Sequence, residues 1–320
     1  MVRAKKGVNI VHLLKRSKFG YTSKDKLLLF ISISISIAIY LTLRIFLRII
    51  YRKKERDQIF EKKNYTLLSW ISNRPTWISR DEVILSIYPR NELYYLDPDY
   101  EKTERNHMCE LNLSEGTIMD IGANIGLYAI MLAKRYPNLK LIAIEASPTI
   151  FNRLKMHCVV NNVSNVILLN KAISNKENEI IELYMNTNTI GSSTILSEYK
   201  QHVIDAFRVQ FHVEKVETVT IDTLNRVMNV DSISLLKMDI EGAENLALDG
   251  AKTALECKKI KNMVIEYHSL QNYQYITSLL DSLEYIYSTY EKTNIGDPKI
   301  LGNFTGHIVA TLSHANCDKA

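Results

Sequence analysis

The sequence predicts an α/β protein with a doubly wound, mostly parallel sheet, preceded by a single membrane-spanning helix. Three observations support this prediction. Apolar strand-like runs alternate with helical segments from Thr117 onward, which is the pattern of parallel βαβ units. The segment TIMDIGANIGLY (117–128) runs from a short apolar strand through a glycine turn into a helix, as at the nucleotide-binding turn of a doubly wound sheet. Ahead of it, residues 27–43 form an uncharged run rich in Leu and Ile.

The Leu/Ile-rich run is flanked by basic residues on both sides. Extended to residue 50, with Arg44 and Arg48 snorkelling, it reaches the roughly 20 residues that a bilayer-spanning helix needs. The Ser-Ile alternation at 31–37 also fits a β period, but the run is far longer than ordinary strands. A signal peptide is disfavoured because Arg, Lys and Glu follow, without a small-residue cleavage site. We therefore predict a transmembrane helix at 27–50.

Charge divides the chain into a basic arm and an acidic remainder. Residues 1–63 hold 16 of the 40 basic and 4 of the 35 acidic residues, which leaves 24 basic and 31 acidic residues for the rest. That balance makes nucleic acid an unexpected partner of the main domain. The four cysteines are scattered without a C-x-x-C pair, which disfavours a zinc site or a disulfide framework and favours a reducing compartment.

Charge also orients the predicted anchor. Somewhat more basic residues follow the apolar run than precede it, which predicts a single-pass membrane protein with its main domain in the cytoplasm. The predicted organisation is a basic segment at 1–26, the transmembrane helix at 27–50, a charged linker at 51–63, a hairpin-containing preamble at 64–115 and the main domain at 116–320, with a strand-rich insertion at 179–218.

Turn signals and apolar runs predict the elements of the soluble part in chain order. Pro89 separates two strand-like runs, Glu82–Tyr88 and Glu92–Leu96, which predicts a hairpin. The continuous apolar run at Leu139–Glu145 is typical of a strand buried on both faces, and Pro148 then suits the first turn of a helix. Further core strands are predicted at 165–169, 233–238 and 262–267, helices at 221–228, 243–255 and 273–280, and a closing antiparallel pair at 283–287 and 307–312.

Asp120 distinguishes the cofactors that the glycine turn could bind. A dinucleotide fingerprint has a glycine in this place and directs backbone amides at a pyrophosphate. A carboxylate there repels a diphosphate and attracts an ammonium or a sulfonium, which favours S-adenosylmethionine over NAD. Gly122 allows a tight turn and Gly126 a close approach of cofactor and helix, while Asn124 can donate or accept a hydrogen bond. G-x-x-x-G alone would indicate only an ordinary strand-to-helix turn.

Glu145 ends the second predicted core strand, about twenty residues after the glycines, where an acid holds the ribose hydroxyls of an adenosine cofactor. The alternative is a solvent-facing acid at a strand end, which is common. The position of Glu145 relative to the turn favours the ribose role. The predicted cofactor is therefore S-adenosylmethionine.

Two further groups of ionisable residues follow core strands. Asp239 and Glu241 come after one strand, and Glu266 and His268 come at the end of the next. Because the carboxyl ends of parallel strands meet at one edge of the sheet, these side chains are predicted to lie beside the glycine turn. A carboxylate or a histidine there suits a general base acting on a hydroxyl, and the four together could also bind a divalent cation. The alternatives are acids that favour a helix start and a structural histidine.

Five short motifs carry a family resemblance. They are DIGANIGLY (120–128), IEASP (144–148), the pair Asn161-Asn162, LLKMDIEGAE (235–244) and IEYH (265–268). Together they resemble the FkbM family of S-adenosylmethionine-dependent methyltransferases, over roughly residues 116–268. The sequence departs from the family at Ala146, where a proline is expected.

This resemblance implies a class I methyltransferase fold with a mostly parallel seven-stranded sheet and an antiparallel final strand. It also implies methyl transfer to oxygen, on a hydroxyl of a sugar, glycolipid, polyketide or similar small molecule. Carried over residue by residue, Asp120, Gly122, Asn124 and Gly126 hold the methionine part of the cofactor, Glu145 holds its ribose, and Asp239 and Glu241 face the reacting centre.

The leading hypothesis is a membrane-anchored methyltransferase that acts on a hydroxyl of a saccharide or lipid-linked glycan. Asp239 or His268 is the candidate base, and the insertion and hairpin are expected to set acceptor specificity. The alternative is a catalytically silent membrane scaffold with the same fold, which the intact site residues disfavour. An NAD-dependent oxidoreductase is disfavoured by Asp120.

Overall fold

The computed structural model describes residues 75–88, 92–97, 99–186, 193–196, 211–294 and 304–313. The chain divides into two compact units. Among the described residues, the first comprises those between 75 and Tyr100 together with Met156–Asn162, and the second comprises Glu101–Lys155 and those from Val163 onward. All the predicted site residues belong to the second unit.

Within the described residues, strands and helices alternate along most of the chain. The strands are β1 (Thr76–Arg80), β2 (Val83–Ile87), β3 (Thr117–Ile121), β4 (Lys140–Ile144), β5 (Val166–Leu169), β6 (Ala172–Ile173), β7 (Ile180–Asn186), β8 (Phe211–Val219), β9 (Ile233–Met238), β10 (Asn262–Tyr267), β11 (Tyr285–Asn294) and β12 (Phe304–Leu312). The helices are α1 (Lys102–Glu110), α2 (Leu127–Arg135), α3 (Pro148–Val160), α4 (Ile221–Val227), α5 (Glu244–Asp249), α6 (Lys252–Glu256) and α7 (Leu270–Ser282), with a short 3₁₀ helix at Leu93–Leu96.

Seven strands form one sheet in the order β11-β12-β10-β9-β3-β4-β5. β12 runs antiparallel to β10 and β11, whereas the pairs among β10, β9, β3, β4 and β5 are parallel. The predicted doubly wound, mostly parallel sheet with an antiparallel final strand is therefore confirmed. The chain order reverses between β3 and β9, and in such sheets ligands bind beyond the carboxyl ends of the strands at the point of reversal.

The two strands at this point of reversal are completely buried. Every residue of β3 and of β9 is buried, as expected for strands covered by helices on both faces. The predicted strands at 233–238 and 262–267 coincide with β9 and β10. Asp120 of β3 and Lys237 of β9 are charged residues within these apolar strands, so each needs a partner inside the protein.

The helix predicted at 243–255 is divided into α5 and α6. The division lies at Gly250, where the chain passes so close to Ser174 that an added Cβ would lie 2.2 Å from the Ser174 carbonyl oxygen. The carbonyl of Gly250 accepts a hydrogen bond from the amide of Asp222. These backbone contacts lie at the break between α5 and α6, whereas sequence periodicity alone predicts one continuous helix at 243–255.

The insertion contains strands, as predicted, in the parts that the structure describes. β7 pairs antiparallel with β8, and β8 pairs parallel with β6, which gives a second sheet of three strands. Residues 193–196 lie against this sheet, because the backbones of Tyr184 and Thr194 exchange hydrogen bonds of 2.8 and 3.1 Å.

The first unit contains a hairpin, but not the predicted one. β1 pairs with β2 from Thr76 opposite Ile87 to Arg80 opposite Val83, so the chain turns at Asp81-Glu82 and not at Pro89. Asp81 and Glu82 have φ angles of 47° and 67°, the left-handed conformation of a two-residue hairpin turn. The predicted second strand, Glu92–Leu96, is wrong, because Leu93–Leu96 is a 3₁₀ helix.

No helix in the described parts of the chain is both long and apolar enough to cross a bilayer. The predicted anchor at 27–50 lies outside the described residues, as do the basic segment at 1–26 and the linker at 51–63.

Candidate active site

The glycine turn connects β3 to α2 and passes over the end of β9. Gly122 has a φ of +76°, and a Cβ at this position would lie 1.9 Å from the carbonyl oxygen of Asp239, so only glycine fits. The amides of Gly122 and Ala123 donate to the carbonyl of Ile144 at 3.0 and 2.9 Å, which ties the turn to the end of β4. Gly126, with a φ of 97°, is the N-cap of α2.

Asp120 is fully buried at the end of β3 and faces Lys237 of β9. Lys237 Nζ lies 3.6 Å from Asp120 Oδ1 and 3.8 Å from Asp239 Oδ2, and it donates to the carbonyl of Gly122 at 3.4 Å. Burial raises the pKa of Asp120, and the charge of Lys237 opposes this shift. Burial lowers the pKa of Lys237, but the surrounding carboxylates, Asp120 and Asp239 foremost, together raise it by more, so the ammonium stays charged.

Two residues beside Lys237 were not predicted from the sequence as site residues. Lys237 Nζ lies 5.3 Å from the ring centre of Tyr128, within the range of a cation–π contact. The Tyr128 hydroxyl donates a hydrogen bond to Glu101, which directly precedes α1. Tyr128 is part of the DIGANIGLY motif and could have been singled out, whereas Glu101 stands in a polar segment without a recognisable motif.

Glu145 links the end of β4 to the glycine turn. Its carboxylate accepts hydrogen bonds of 2.8 Å from the amides of Asn124 and Ser147. Burial raises the pKa of Glu145 to about 7, although both amide bonds act in the opposite direction. The Asn170 side chain donates to the carbonyls of Glu145 and Ala146 at 2.8 Å, so the turn is held without the proline expected at 146.

A small cleft, with a cavity volume of about 70 Å³, opens beyond the ends of β3, β4 and β9. The predicted residues that line it are Gly122, Asn124, Glu145, Asp239 and Glu241. Lining residues that the sequence reasoning missed are Lys171, Ala172, Ile173, Leu183, Ser193 and Ile195. Lys171 could have been found, because it follows the third core strand at the same sheet edge. Ser193 and Ile195 come from the insertion and belong to no sequence motif that would have marked them as site residues.

His268 is the centre of a second group, at the ends of β9 and β10. Its Nε2 lies 3.4 Å from Glu241 Oε2, 3.7 Å from Asp239 Oδ1 and 3.8 Å from Glu266 Oε1. Asp239 also contacts Lys237, so it belongs to both groups. The structure therefore brings the predicted catalytic residues together, next to the predicted cofactor residues.

The other ring nitrogen of His268 is held by a buried acid. Nδ1 lies 3.2 Å from Oε1 of Glu244, and the same oxygen accepts hydrogen bonds from the amides of Ile240 and Gly242. Burial lowers the pKa of His268, but Glu241 and Glu244 outweigh it and raise the pKa well above its usual value. Burial raises the pKa of Glu241 to about 8, and His268 opposes that shift.

Four predicted site residues stand behind the wall of the cleft. Asp120, Gly126, Glu266 and His268 are not among its lining residues. Asp120 contacts Lys237, which in turn donates to the carbonyl of Gly122 in the glycine turn. The roles assigned to the individual site residues remain predictions.

Residues 120–308, more than half of the chain, match the sequence model of a family described as Methyltransferase FkbM domain. Methyltransferase 1 of Beauveria bassiana (strain ARSEF 2860) is 28% identical over 159 residues, which cover 47% of this chain and 63% of that protein. Methyltransferase sdnD of Sordaria araneosa is 25% identical over 219 residues, which cover 61% of this chain and 83% of that protein. The chain thus spans less than two thirds of the first of these relatives.

A solved structure with a similar course of the chain is M. jannaschii TYW2 in complex with AdoMet. It aligns with a TM-score of 0.42 and 14% sequence identity, over 74% of this chain and 85% of that chain. A likeness this distant does not bear on function.

Replacing Lys237 with methionine is expected to lower the free energy of unfolding by about 3–5 kcal/mol, because it leaves Asp120 buried without its cation. Urea unfolding followed by circular dichroism measures the change. The double variant Lys237→Met/Asp120→Asn is expected to recover part of the loss. The matched control is Lys252→Met, which removes an exposed ion pair with Glu256 and should change stability by less than about 1 kcal/mol. Equal stabilities of the two single variants would contradict the role given to Lys237.

Proposed function

The chain belongs to the FkbM family of S-adenosylmethionine-dependent methyltransferases, and from this premise we propose that it methylates a hydroxyl of a saccharide, a glycolipid or a similar small molecule, while residues 27–50 anchor it in a membrane. The observation that carries the proposal is the position of Asp239. This residue lines the cleft and contacts both Lys237, beside the glycine turn, and His268, beside the carboxylates of β10.

The residues around the cleft fit S-adenosylmethionine. Asn124 lines the cleft, and its Oδ1 is buried without a hydrogen-bond partner among the described residues, so it can accept from an ammonium or hydroxyl of the ligand. Glu145 lines the cleft as well, with a carboxylate that is held by two amides. Asn124 and Gly122 would hold the methionine part and Glu145 the ribose. When bound, the cofactor supplies a methyl group on a positively charged sulfur, which a hydroxyl oxygen can attack.

The protein's own contribution is positioning and removal of a proton. Methyl transfer needs the acceptor oxygen in line with the bond that breaks, so a cleft that fixes both reactants provides most of the rate. A carboxylate at position 239 can accept the hydroxyl proton as the new bond forms. Among the two candidate bases, Asp239 is favoured because it lines the cleft, whereas His268 is only 4% exposed and does not.

The proposed acceptor class follows from charge. Asp239 and Glu241 line the cleft, and the Glu266 carboxylate lies 3.8 Å from Nε2 of His268, which also faces Asp239 and Glu241. Carboxylates accept hydrogen bonds from the many hydroxyls of a sugar, but they repel a phosphate backbone. Together with the acidic balance of the chain after residue 63, this favours a saccharide or glycolipid over nucleic acid.

The anchor proposal rests on the sequence of the N-terminal arm. An uncharged run at 27–43 with basic flanks is the pattern of a single-pass helix, and the larger number of basic residues after it favours a cytoplasmic main domain. A membrane-bound catalytic domain would meet lipid-linked acceptors at a high local concentration, which agrees with the proposed glycolipid class.

Cofactor binding is expected to depend on the ionisation of Glu145. Its pKa of about 7 in the folded protein exceeds the ordinary value of 4.5, so the folded protein retains a proton that the unfolded chain releases between these values. The contribution of this group to stability is therefore lost as the pH rises through that window. In the folded protein the carboxylate that would accept the ribose hydroxyls forms around pH 7. Affinity for S-adenosylhomocysteine, measured by calorimetry, should therefore rise up to about tenfold between pH 6 and pH 8.

Glu145→Gln is the control for this experiment, because the ionisation of the ligand is the same for both proteins. Asp120 and Lys237 also act on the charge of Glu145 and remain in the variant. The variant should bind more weakly and without the additional pH dependence. The same pH dependence in both proteins would exclude Glu145 from the ribose role.

Asp239→Asn is expected to abolish methyl transfer while S-adenosylhomocysteine still binds, because the amide keeps the size of the side chain but cannot accept a proton. The readout is mass spectrometry of membrane glycolipids and glycans from cells that carry the variant, compared with cells that carry the unchanged protein. Asp249→Asn, an exposed exchange of the same kind at the end of α5, should leave the methylated product in place. A full yield of product with Asp239→Asn would remove this residue from the reaction.

Protease treatment of sealed right-side-out vesicles tests the proposed anchor. The domain at 116–320 should stay intact until detergent opens the vesicles, since it is expected on the cytoplasmic side. A chain without residues 1–63 should be released from the membrane fraction. Digestion of the domain in sealed vesicles would reverse the orientation, and a membrane-bound truncated chain would refute the anchor.

A further inference from the structure

We propose that Asp239, Glu266 and His268 bind a divalent metal ion at the carboxyl ends of β9 and β10, beside the cleft. One ligand atom from each of these residues can be chosen so that all three lie within 4.8 Å of one another. With bonds of about 2.1 Å, two atoms on the same ion lie roughly 3.0–4.2 Å apart. Small side-chain movements would therefore bring the three atoms to a common ion.

The orientation of His268 is the first argument for a metal ion. The imidazole is 95% buried, and its Nε2 lies near three carboxylates, two in the turn after β9 and one near the end of β10. The distances of 3.4–3.8 Å exceed the 2.7–2.9 Å or so of a charge-assisted hydrogen bond. Three carboxylate oxygens at 3.4–3.8 Å from one nitrogen are an arrangement that suits an ion shared among them.

The position of Glu244 is the second, independent argument. A histidine that binds a metal through one nitrogen is commonly fixed by a carboxylate at the other. Glu244 lies in the place of such a carboxylate, since it is fully buried and its Oε1 forms an ion pair with Nδ1 at 3.2 Å, although the two atoms are not aligned for a hydrogen bond. The amides of Ile240 and Gly242 hold that oxygen in place beside the ring.

The ligand set indicates the class of ion. One imidazole nitrogen with two carboxylates, and Glu241 close enough to add a third, is a mixed set that Mn²⁺ and Zn²⁺ accept. Mg²⁺ and Ca²⁺ prefer sites built from oxygen alone. Water or an acceptor hydroxyl would complete the coordination, because Asp239 and Glu241 reach the cleft.

The binding of the ion does not depend on the proposed function, but its catalytic consequence rests on that function. A metal ion next to Asp239 would lower the pKa of a hydroxyl that coordinates it. Asp239 would then bind the ion through one carboxylate oxygen and accept the hydroxyl proton at the other. This reading predicts that Asp239→Asn loses metal binding together with methyl transfer.

Calorimetric titration of the full-length protein with MnCl₂, after treatment with EDTA, tests the proposal, and the electron paramagnetic resonance signal of Mn²⁺ gives a second readout. We expect one site per chain. His268→Gln and Glu266→Gln should each weaken the binding of Mn²⁺ about tenfold or more. Binding of S-adenosylhomocysteine to both variants shows that they are folded. Glu182→Gln, an exposed acid in β7, is the matched control and should bind Mn²⁺ like the unchanged protein.

Two results would overturn the proposal. One is the absence of binding of Mn²⁺ and Zn²⁺ to the unchanged protein at about 1 mM, and the other is undiminished binding in His268→Gln and Glu266→Gln. Methyl transfer that continues in EDTA, together with no ion binding, would refute the metal site and leave the proposed function intact. Ion binding without any methylated product would support the metal site and count against the proposed function.

Discussion

The buried ammonium of Lys237 is the group on which the geometry of the candidate site depends. It lies between carboxylates at the ends of two adjacent parallel strands, Asp120 on β3 and Asp239 after β9. Two such carboxylates in a medium of low dielectric constant repel each other, so both can stand there only with a cation between them. The glycine turn starts from the first strand and the Glu241 segment from the second. One ion-pair network therefore joins the two parts of the site, the predicted cofactor half with the glycine turn and the predicted acceptor half with Glu241.

In the predicted cofactor half, the buried charge lies apart from the cleft. Asp120 is fully buried and pairs with Lys237 beside the glycine turn, while Asn124 and Glu145 line the cleft. Gly122 completes this arrangement, because its lack of a Cβ lets the turn approach the carbonyl of Asp239. Buried charges such as those of Asp120 and Lys237 are screened by salt less than exposed charges.

The insertion connects the second sheet with the acceptor half. The Thr194 hydroxyl donates to the carbonyl of Glu241 at 2.9 Å, while the Thr194 backbone pairs with Tyr184 of β7. Ser193 and Ile195, on either side of it, line the cleft. The insertion is thereby held against the turn that carries Glu241, the residue nearest to Nε2 of His268. An acceptor or an ion bound beside Glu241 would therefore lie next to the insertion, which agrees with the expectation that acceptor specificity depends on this segment.

The sequence by itself determined the central strands and the common edge of the site. Continuous apolar runs identify β9 and β10 to the residue, and the parallel arrangement then requires that Glu145, Asp239 and Glu266 share one edge. Local sequence patterns failed where contacts in space determine the structure. α1 has no apolar stripe, and the hairpin turns at Asp81-Glu82 in a conformation that Asn or Gly usually adopts. The predicted helix is interrupted at Gly250, where the chain lies against Ser174. Only the tertiary structure decided that Asp120 lies beneath the cleft, that Ser193 and Ile195 line it, and that Glu244 holds His268. Burial and partner choice depend on contacts between residues distant in the chain, and periodicity carries no information about those contacts.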